Sequence, residues 1–479
     1  MMKIKNSLLV SSILLGTIPG LVNSAPVQGE PTAFTSPSGL QEQCIRITPL
    51  PGAHYSKHDL KREKAYCKLD FYTLALCPKL WSTSPGTILY DIDAEAFGGD
   101  YAQFEKQHCG GGHHARSVAL DKPATFKISV NDRDTSATYA PSSWVYYHLS
   151  RYFNTNTQVP VAVYRSMDKA QHHQRVVQPA LGYTEGHRNL RMLAAGWRFL
   201  DQVESGGGTS ASRRAALSDE NRQVFGVLLD NKGDRYGPEI NGTRESGWGV
   251  GQNLDFQQTA PFLALRSELS LNEAAKQAVH EARANPQMAK KLPADTSVKQ
   301  VIFWMQDVAE IALLDYLLGQ QDRIGNIDYS WRWYWLEDGE LESEAAHGAT
   351  APESLQAFNP QRLRRSAIND NDAGVRRGYA NFAKKAGMLD KLRHYPASLY
   401  QKLGLLAADF AAKGPIHRWL SGPAGLSKKE LSAIATRTQE AFSLLQRDCN
   451  SGALKLDIDL AAVLAERPPA SASCEITLP

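Results

Sequence analysis

The stretch from Val301 to Leu318 constrains the fold most. Ile302, Met305, Val308, Ala312 and Tyr316 recur at helical spacing, and Gly319 follows as a stop. The next residues, "GQQDRIGN", place Asp322, Arg323 and Asn326 in one short loop. Tyr329–Leu336 then alternates aromatic and polar residues, which predicts a strand. A lone Asp-Arg pair after a helix is usually a solvated ion pair or a turn, so this loop needs partners elsewhere in the chain to carry chemistry.

Such partners exist. "SAINDNDAG" sets Asp370 and Asp372 behind an apolar stub at Ser366–Asp370, and Gly374 follows, so a turn cap is the plainer reading. Upstream, Phe126, Ile128 and Val130 alternate with Thr125, Lys127 and Ser129 in "PATFKISVN", placing Lys127 mid-strand. Phosphoryl transfer needs a carboxylate to orient the attacking hydroxyl, an Asn and an Asp to hold metal ions on the phosphates, and a strand lysine to grip them. Asp322, Asn326, Asp370 and Lys127 fill those roles in chain order.

The helix followed by "GQQDRIGN" resembles the catalytic loop of atypical kinases: the phosphatidylinositol kinases, the HipA-like kinases and the secreted, Golgi-type casein kinase family. "AINDNDAG" resembles their metal-binding segment. "SSWVYYHLSRYFNTNTQVPVAVYR" resembles the helix and strand of their N-lobes. The resemblance spans residues 116–385. It implies an α+β, two-lobed kinase-like fold, with a strand-rich N-lobe and a mainly helical C-lobe. Asp322 would be the catalytic carboxylate and Arg323 its brace. Asn326 and Asp370 would be metal ligands, with Asp372 a second candidate. Lys127 would grip phosphate, and the cofactors would be ATP with Mg²⁺ or Mn²⁺. The chain departs from the pattern in two places. Ile324 stands where these families usually have His, and Ser142–Phe153 holds no Asp or Glu, so the acidic partner of Lys127 is unidentified. A catalytically inactive pseudokinase, acting as an exported binding protein, is therefore the alternative to an exported kinase that phosphorylates a protein or small-molecule hydroxyl.

Two glycine-rich pieces need weighing. Gly110, Gly111 and Gly112 in "CGGGHHAR" lie just before the Lys127 strand, where backbone amides could cover phosphate. A flexible link beside a cysteine fits equally. "GWGVG" at Gly247–Gly251 lacks a following helix signal and a Lys-Ser/Thr ending, so it reads as loop. His113 and His114 read as exposed rather than as metal ligands, and "WRWYW" at Trp331–Trp335 as a strand packing its aromatics.

The N-terminus reads as a secretory leader over residues 1–24. It has Lys3 and Lys5, an apolar run at Leu8–Leu15 too short to span a bilayer, and a cleavage-type ending before Ala25. The domain expectation is a Cys-rich extension at 25–115, an N-lobe at 116–260 and a C-lobe at 261–479, with a periplasmic or secreted location and no stable membrane insertion. All six cysteines follow the leader, and none forms a C-x-x-C pair, which favours disulfides over zinc. Cys449 is expected to pair with Cys474, and Cys44, Cys67, Cys77 and Cys109 among themselves. A net charge of +3 over 479 residues gives no electrostatic case for nucleic acid. The expected partners are a nucleotide and an unknown acceptor. No Gly-x-Ser-x-Gly nucleophile elbow or His-Glu-x-x-His motif supports a hydrolase.

Overall fold

The computed structural model describes residues 26–477, apart from 94, 112, 113, 186, 219, 221, 231 and 232. The expected leader, Gly112 and His113 lie outside the described residues. The fold is mixed α+β, with a strand-rich N-terminal sheet and a largely helical C-terminal region.

The N-terminal sheet contains β1 (Gly29–Thr35), β2 (Gln41–Ile47), β3 (Ala75–Pro78), β4 (Thr87–Asp91), β5 (Asp121–Ile128), β6 (Ala162–Asp168), β7 (Leu217–Ser218) and β8 (Gln223–Leu229). Its order is β1-β2-β6-β8-β5-β4-β3, with β7 added on β8. Strands β1 to β4 come from the Cys-rich stretch and lie in the same sheet as the Lys127 strand, with β4 hydrogen-bonded directly to β5. That stretch also holds helices at Lys57–Tyr66 and Tyr101–His108. Disulfides fasten them: Cys44–Cys67 joins β2 to the end of the first helix, and Cys77–Cys109 joins β3 to the end of the second. Cys449–Cys474 fastens the C-terminal tail to helix Lys428–Asn450.

The helix Ala140–Phe153 crosses beneath the sheet and is buried along nearly its whole length. One side packs on β6 and β8, the other on helices Val298–Leu318 and Ala397–Ala412. This is why its sequence carries aromatics on every face: it is a core helix between two layers.

Val298–Leu318 is the corresponding helix of the C-terminal region. Ser297 caps its start, and Gly319, at φ 67°, ends it in the left-handed conformation. The sequence pattern suggested one apolar face, but every residue from Gln300 to Leu318 is buried. The difference arises because its polar residues find internal partners. Asp307, Glu310 and Asp315 are buried yet accept hydrogen bonds from Asn156, Thr157 and Tyr146.

A second sheet also interrupts the helical half. It contains β9 (Asp234–Arg235), β10 (Ile327–Glu337), β11 (Glu340–Ala345) and β12 (Gln361–Ile368), in the order β11-β10-β12, with β9 on β10. Strand β12 begins five residues before the expected stub, because Leu363 and Arg364 continue the pairing with β10 at Arg332 and Trp331. The aromatic run does pack within the strand: Tyr334 is buried, and the Arg362 guanidinium lies 4.0 Å over the Trp331 ring. Strands β13 (His394–Pro396) and β14 (Lys455–Ile458) form a small parallel pair. Among the described residues no helix is long and apolar enough to cross a membrane.

Candidate active site

The site forms where the two regions meet. Strand β5 is covered on both faces near its C-terminal end, so Lys127, its penultimate residue, is buried, although alternation alone also allowed a solvent-facing residue. Its Nζ lies 2.8 Å from Asp370 Oδ1 and 3.0 Å from Asp372 Oδ2. Burial alone would lower the lysine pKa, but Asp370 and then Asp372 overcome it and hold the ammonium above its usual range. For Asp370, burial would raise the carboxyl pKa. Lys127 and then Lys79 outweigh that and hold it well below the usual range. Asp370 is a left-handed non-glycine residue at φ 47°, just beyond β12, with a quarter of its side chain exposed. Asp372 is almost fully enclosed.

The segment bearing these two carboxylates is tied to the N-terminal region by its backbone. The Tyr139 N–H donates to Asp372 O at 2.7 Å, and the Ser142 hydroxyl donates to Asn371 O at 2.5 Å. Gln158 exchanges hydrogen bonds with Ser366 O and the Ile368 N–H at 2.8 and 2.9 Å.

The loop after Gly319 packs beside this segment. Arg323 is buried, with its Nε and Nη2 each 3.0 Å from an oxygen of Asp315. It also donates to Asn369 O at 2.6 Å and Asn371 Oδ1 at 2.8 Å. One guanidinium therefore joins the central helix, the loop and the Asp370 segment. Ile324, at the position usually held by His, is buried in the core. Gly325, at φ 93°, makes the turn that brings the chain back. The Asn326 amide donates to Asp322 O at 2.9 Å, and its Oδ1 accepts from Arg235 Nη1 at 3.1 Å. Asp322 is half-buried. Burial first, then the neighbouring Asp370 charge, raises its pKa, while a hydrogen bond from the Trp248 side chain opposes the rise.

Lys127, Asp370 and Asp372 thus meet directly, and Asp322, Arg323 and Asn326 share the adjoining loop. Gly110 and Gly111 sit after helix Tyr101–His108, with Gly111 packed against Tyr183. A glycine beside the Lys127 side chain is Gly86, where an added Cβ would lie 3.7 Å from Lys127 Cγ. It closes the β3–β4 hairpin, whose neck is the 2.8 Å bond from the Lys79 N–H to Gly86 O. Lys79 is a site group that the motif reading missed. Burial, reinforced by the Lys127 charge, pulls its pKa down to about 8. Asp328 was missed too. It is buried on β10, and burial raises its carboxyl to about 6 despite Arg235, whose Nε lies 3.1 Å away. The available signals were slight: a lysine ahead of the turn residues "STSPG", and a second Asp within "DRIGNID".

No family model matches the chain, and no curated protein matches it. Solved structures that match include a crystal structure of the Golgi casein kinase, at 11% identity and TM-score 0.39, covering 84% of this chain and 80% of that one. A structure of the Golgi casein kinase with Mn/ADP bound matches at 12% identity and TM-score 0.39, covering 89% and 82%. At a TM-score of 0.39 the chemistry of the site rests on its own geometry.

Proposed function

We propose that this chain is an exported kinase-like phosphotransferase that uses ATP with Mg²⁺ or Mn²⁺ to phosphorylate a hydroxyl of a protein or small molecule. The observation that carries the reading is the meeting of Lys127 with Asp370 and Asp372, across 243 and 245 residues of sequence, beside the loop of Asp322 and Asn326. A buried lysine between two carboxylates pre-positions one cation for phosphate oxygens and two anions for metal.

The donor set fits that use. Among the described residues no three His, Cys, Asp or Glu side chains gather as a metal cage. Magnesium is commonly held by one or two carboxylates, with substrate phosphates and water completing the shell. Asp370, Asp372 and the Asn326 amide oxygen would hold it, and the metal with its nucleotide would supply a transferable phosphoryl group with its charge neutralised. Lys127 would grip the phosphates. Lys79 and the Lys79–Gly86 hairpin lie beside Lys127 and would cover them. Asp322 would orient the acceptor hydroxyl and take its proton as the hydroxyl oxygen bonds to phosphorus and the bond to the leaving phosphate breaks. Arg323 would act through Asp315 and Asn371 by holding the loop, without touching substrate.

A second reading, the pseudokinase, has its own support. The carboxylate partners of Lys127 are Asp370 and Asp372 themselves, while the helix Ala140–Phe153 offers it none. A Lys127 that never leaves them would hold the site shut.

The test is the melting point of the mature, oxidised protein with ATP plus Mg²⁺ or Mn²⁺, against metal alone. A ligand at a hundred times its Kd adds about 2.7 kcal/mol. A metal-dependent rise that disappears in Asp370→Ala supports the kinase reading, and no rise with any nucleotide moves the function to a binding protein. Export through the 1–24 leader is part of the proposal, supported by three disulfides among the described residues.

A further inference from the structure

A cavity of about 510 Å³ lies between helix Lys428–Asn450 and the chain that follows Asp372, and none of its lining residues belongs to the Lys127 cluster. Arg377 and Lys384 form one wall, and Lys428, Lys429 and Arg437 the other, with Glu440 the single carboxylate. The cleft thus holds a net of four positive charges, where the whole chain carries +3. Glu440 is already engaged, accepting from Lys384 Nζ at 2.6 Å. Arg377, Lys428 and Lys429 make no ion pair among the described residues. Like charges gathered in a concave place repel one another and favour anions from solution. Ser432 and Thr436 add hydroxyl donors to the helix wall. The cleft also borders the loop after Gly319. Arg437 Nη1 donates to Leu317 O at 3.4 Å, and its guanidinium leaves no room for a Cβ on Gly319. Burial lowers the Arg437 pKa, although Tyr146, Glu440 and Tyr316 oppose the fall. The other wall is fastened to the same helix end: the Asn381 amide donates to Tyr316 O at 2.7 Å and the Phe382 N–H to Gln320 O at 3.3 Å.

We propose that this cleft binds a compact polyanion carrying two or more phosphate groups, which clamps helix Lys428–Asn450 to the Arg377–Lys384 segment beside the loop after Gly319. One phosphate carries about −2 at neutral pH, half of what the cleft holds. Lys429 and Arg437 lie eight positions apart in the sequence, about 12 Å along the helix axis. A ligand with phosphates at both ends meets the two without drawing either side chain along the cleft. Arginine offers a fork and lysine a point charge, so the mixed set accepts phosphates in several orientations.

The test is titration calorimetry of the full mature chain in metal-free buffer, where Asp370 and Asp372 repel a polyanion from the Lys127 cluster. The probes are inorganic tripolyphosphate and orthophosphate. Tripolyphosphate should bind about tenfold more tightly or better, because it reaches both ends of the cleft. The double variant Arg377→Ala with Lys429→Ala removes one cation from each wall and should weaken tripolyphosphate about tenfold or more. Both side chains are exposed, so the fold should persist, and the melting point without ligand checks that it does. Lys127→Met should leave the affinity unchanged. Competition by metal-free ATP then separates two sources of the same chemistry: displacement assigns the site to the phosphates of a nucleotide, and no displacement to an inorganic chain. Equal binding of the two probes, no binding at all, or an affinity that the double variant keeps overturns the site. No readout uses metal or phosphoryl transfer, so the cleft stands or falls apart from the kinase reading.

Discussion

Arg323 faces Asp315 side-on, with two guanidinium nitrogens 3.0 Å from its two oxygens and both side chains 3% exposed. Tyr146 donates to the same carboxylate at 2.8 Å, and the Arg323 guanidinium stacks 5.5 Å from its ring. Removing one partner of such a pair strands a charge in the core. Arg323→Met should therefore cost about 3–5 kcal/mol in urea unfolding. Arg323→Lys should recover only part of this, because one ammonium cannot replace a fork that reaches Asp315, Asn369 and Asn371 together. Equal stability of Arg323→Lys and the parent would show that the fork is dispensable.

Lys127 is the counter-charge of Asp370 and Asp372, so its loss leaves two carboxylates facing each other. Lys127→Met should lower the melting point in metal-free buffer. Millimolar Mn²⁺ should then restore more stability to Lys127→Met than to the parent, because the ion replaces the missing cation. The check is the difference in melting point with and without metal for both proteins. If Mn²⁺ stabilises Lys127→Met no more than the parent, the two carboxylates are not metal ligands.

The parts of this cluster that sequence made legible are those whose neighbours are close in the chain. Asp322, Arg323 and Asn326 share one turn, and Asp370 and Asp372 another, so residue type and spacing bring them to attention. Lys127 stood out because strand alternation fixed its place on β5. Its pairing with the two aspartates spans more than half the chain and depends on how the helix Ala140–Phe153 seats the sheet, which no local pattern encodes. Lys79, Arg235, Trp248 and Asp328 enter only through that packing. The same limit hid β1–β4: short strands joined by turns and disulfides carry too little periodicity to be read as part of the sheet that holds Lys127.

Cys449–Cys474 closes a 25-residue separation and holds the tail on helix Ala397–Ala412, where Ile476 fills the space above Gly404 and the Tyr400 hydroxyl donates to Cys474 O at 2.9 Å. Cys474→Ser should cost about 3 kcal/mol of global stability through the freed chain. It should leave any nucleotide-dependent melting shift intact, since none of these residues touches the Lys127 cluster. Loss of that shift in Cys474→Ser would tie the tail to the site.

Asp307 and Glu310 lie one turn apart on the central helix, 0% and 1% exposed. Asp307 accepts the Asn156 amide at 2.7 Å and the Ser366 N–H at 2.8 Å. Glu310 accepts the backbone N–H groups of Asn156 and Thr157 at 2.9 and 2.7 Å. These donors favour the charged forms, but burial outweighs them, and for Glu310 the Asp307 charge adds to burial, so both carboxyls titrate above their ordinary range. A carboxyl whose folded pKa exceeds its unfolded one binds more protons in the folded state over that interval. Its contribution to stability is therefore largest near the ordinary carboxylate range of about pH 4 and declines as pH rises through the folded values. Asp307→Asn removes one titrating group and its repulsion on Glu310 while keeping an acceptor oxygen. Its stability deficit relative to the parent should be largest at about pH 5 and should shrink by about pH 7.5, read from urea midpoints at both values. A deficit that grows with pH would mean that Asp307 is held as the anion by its donors, and the linker at Asn156–Gln158 would then be fastened by charge.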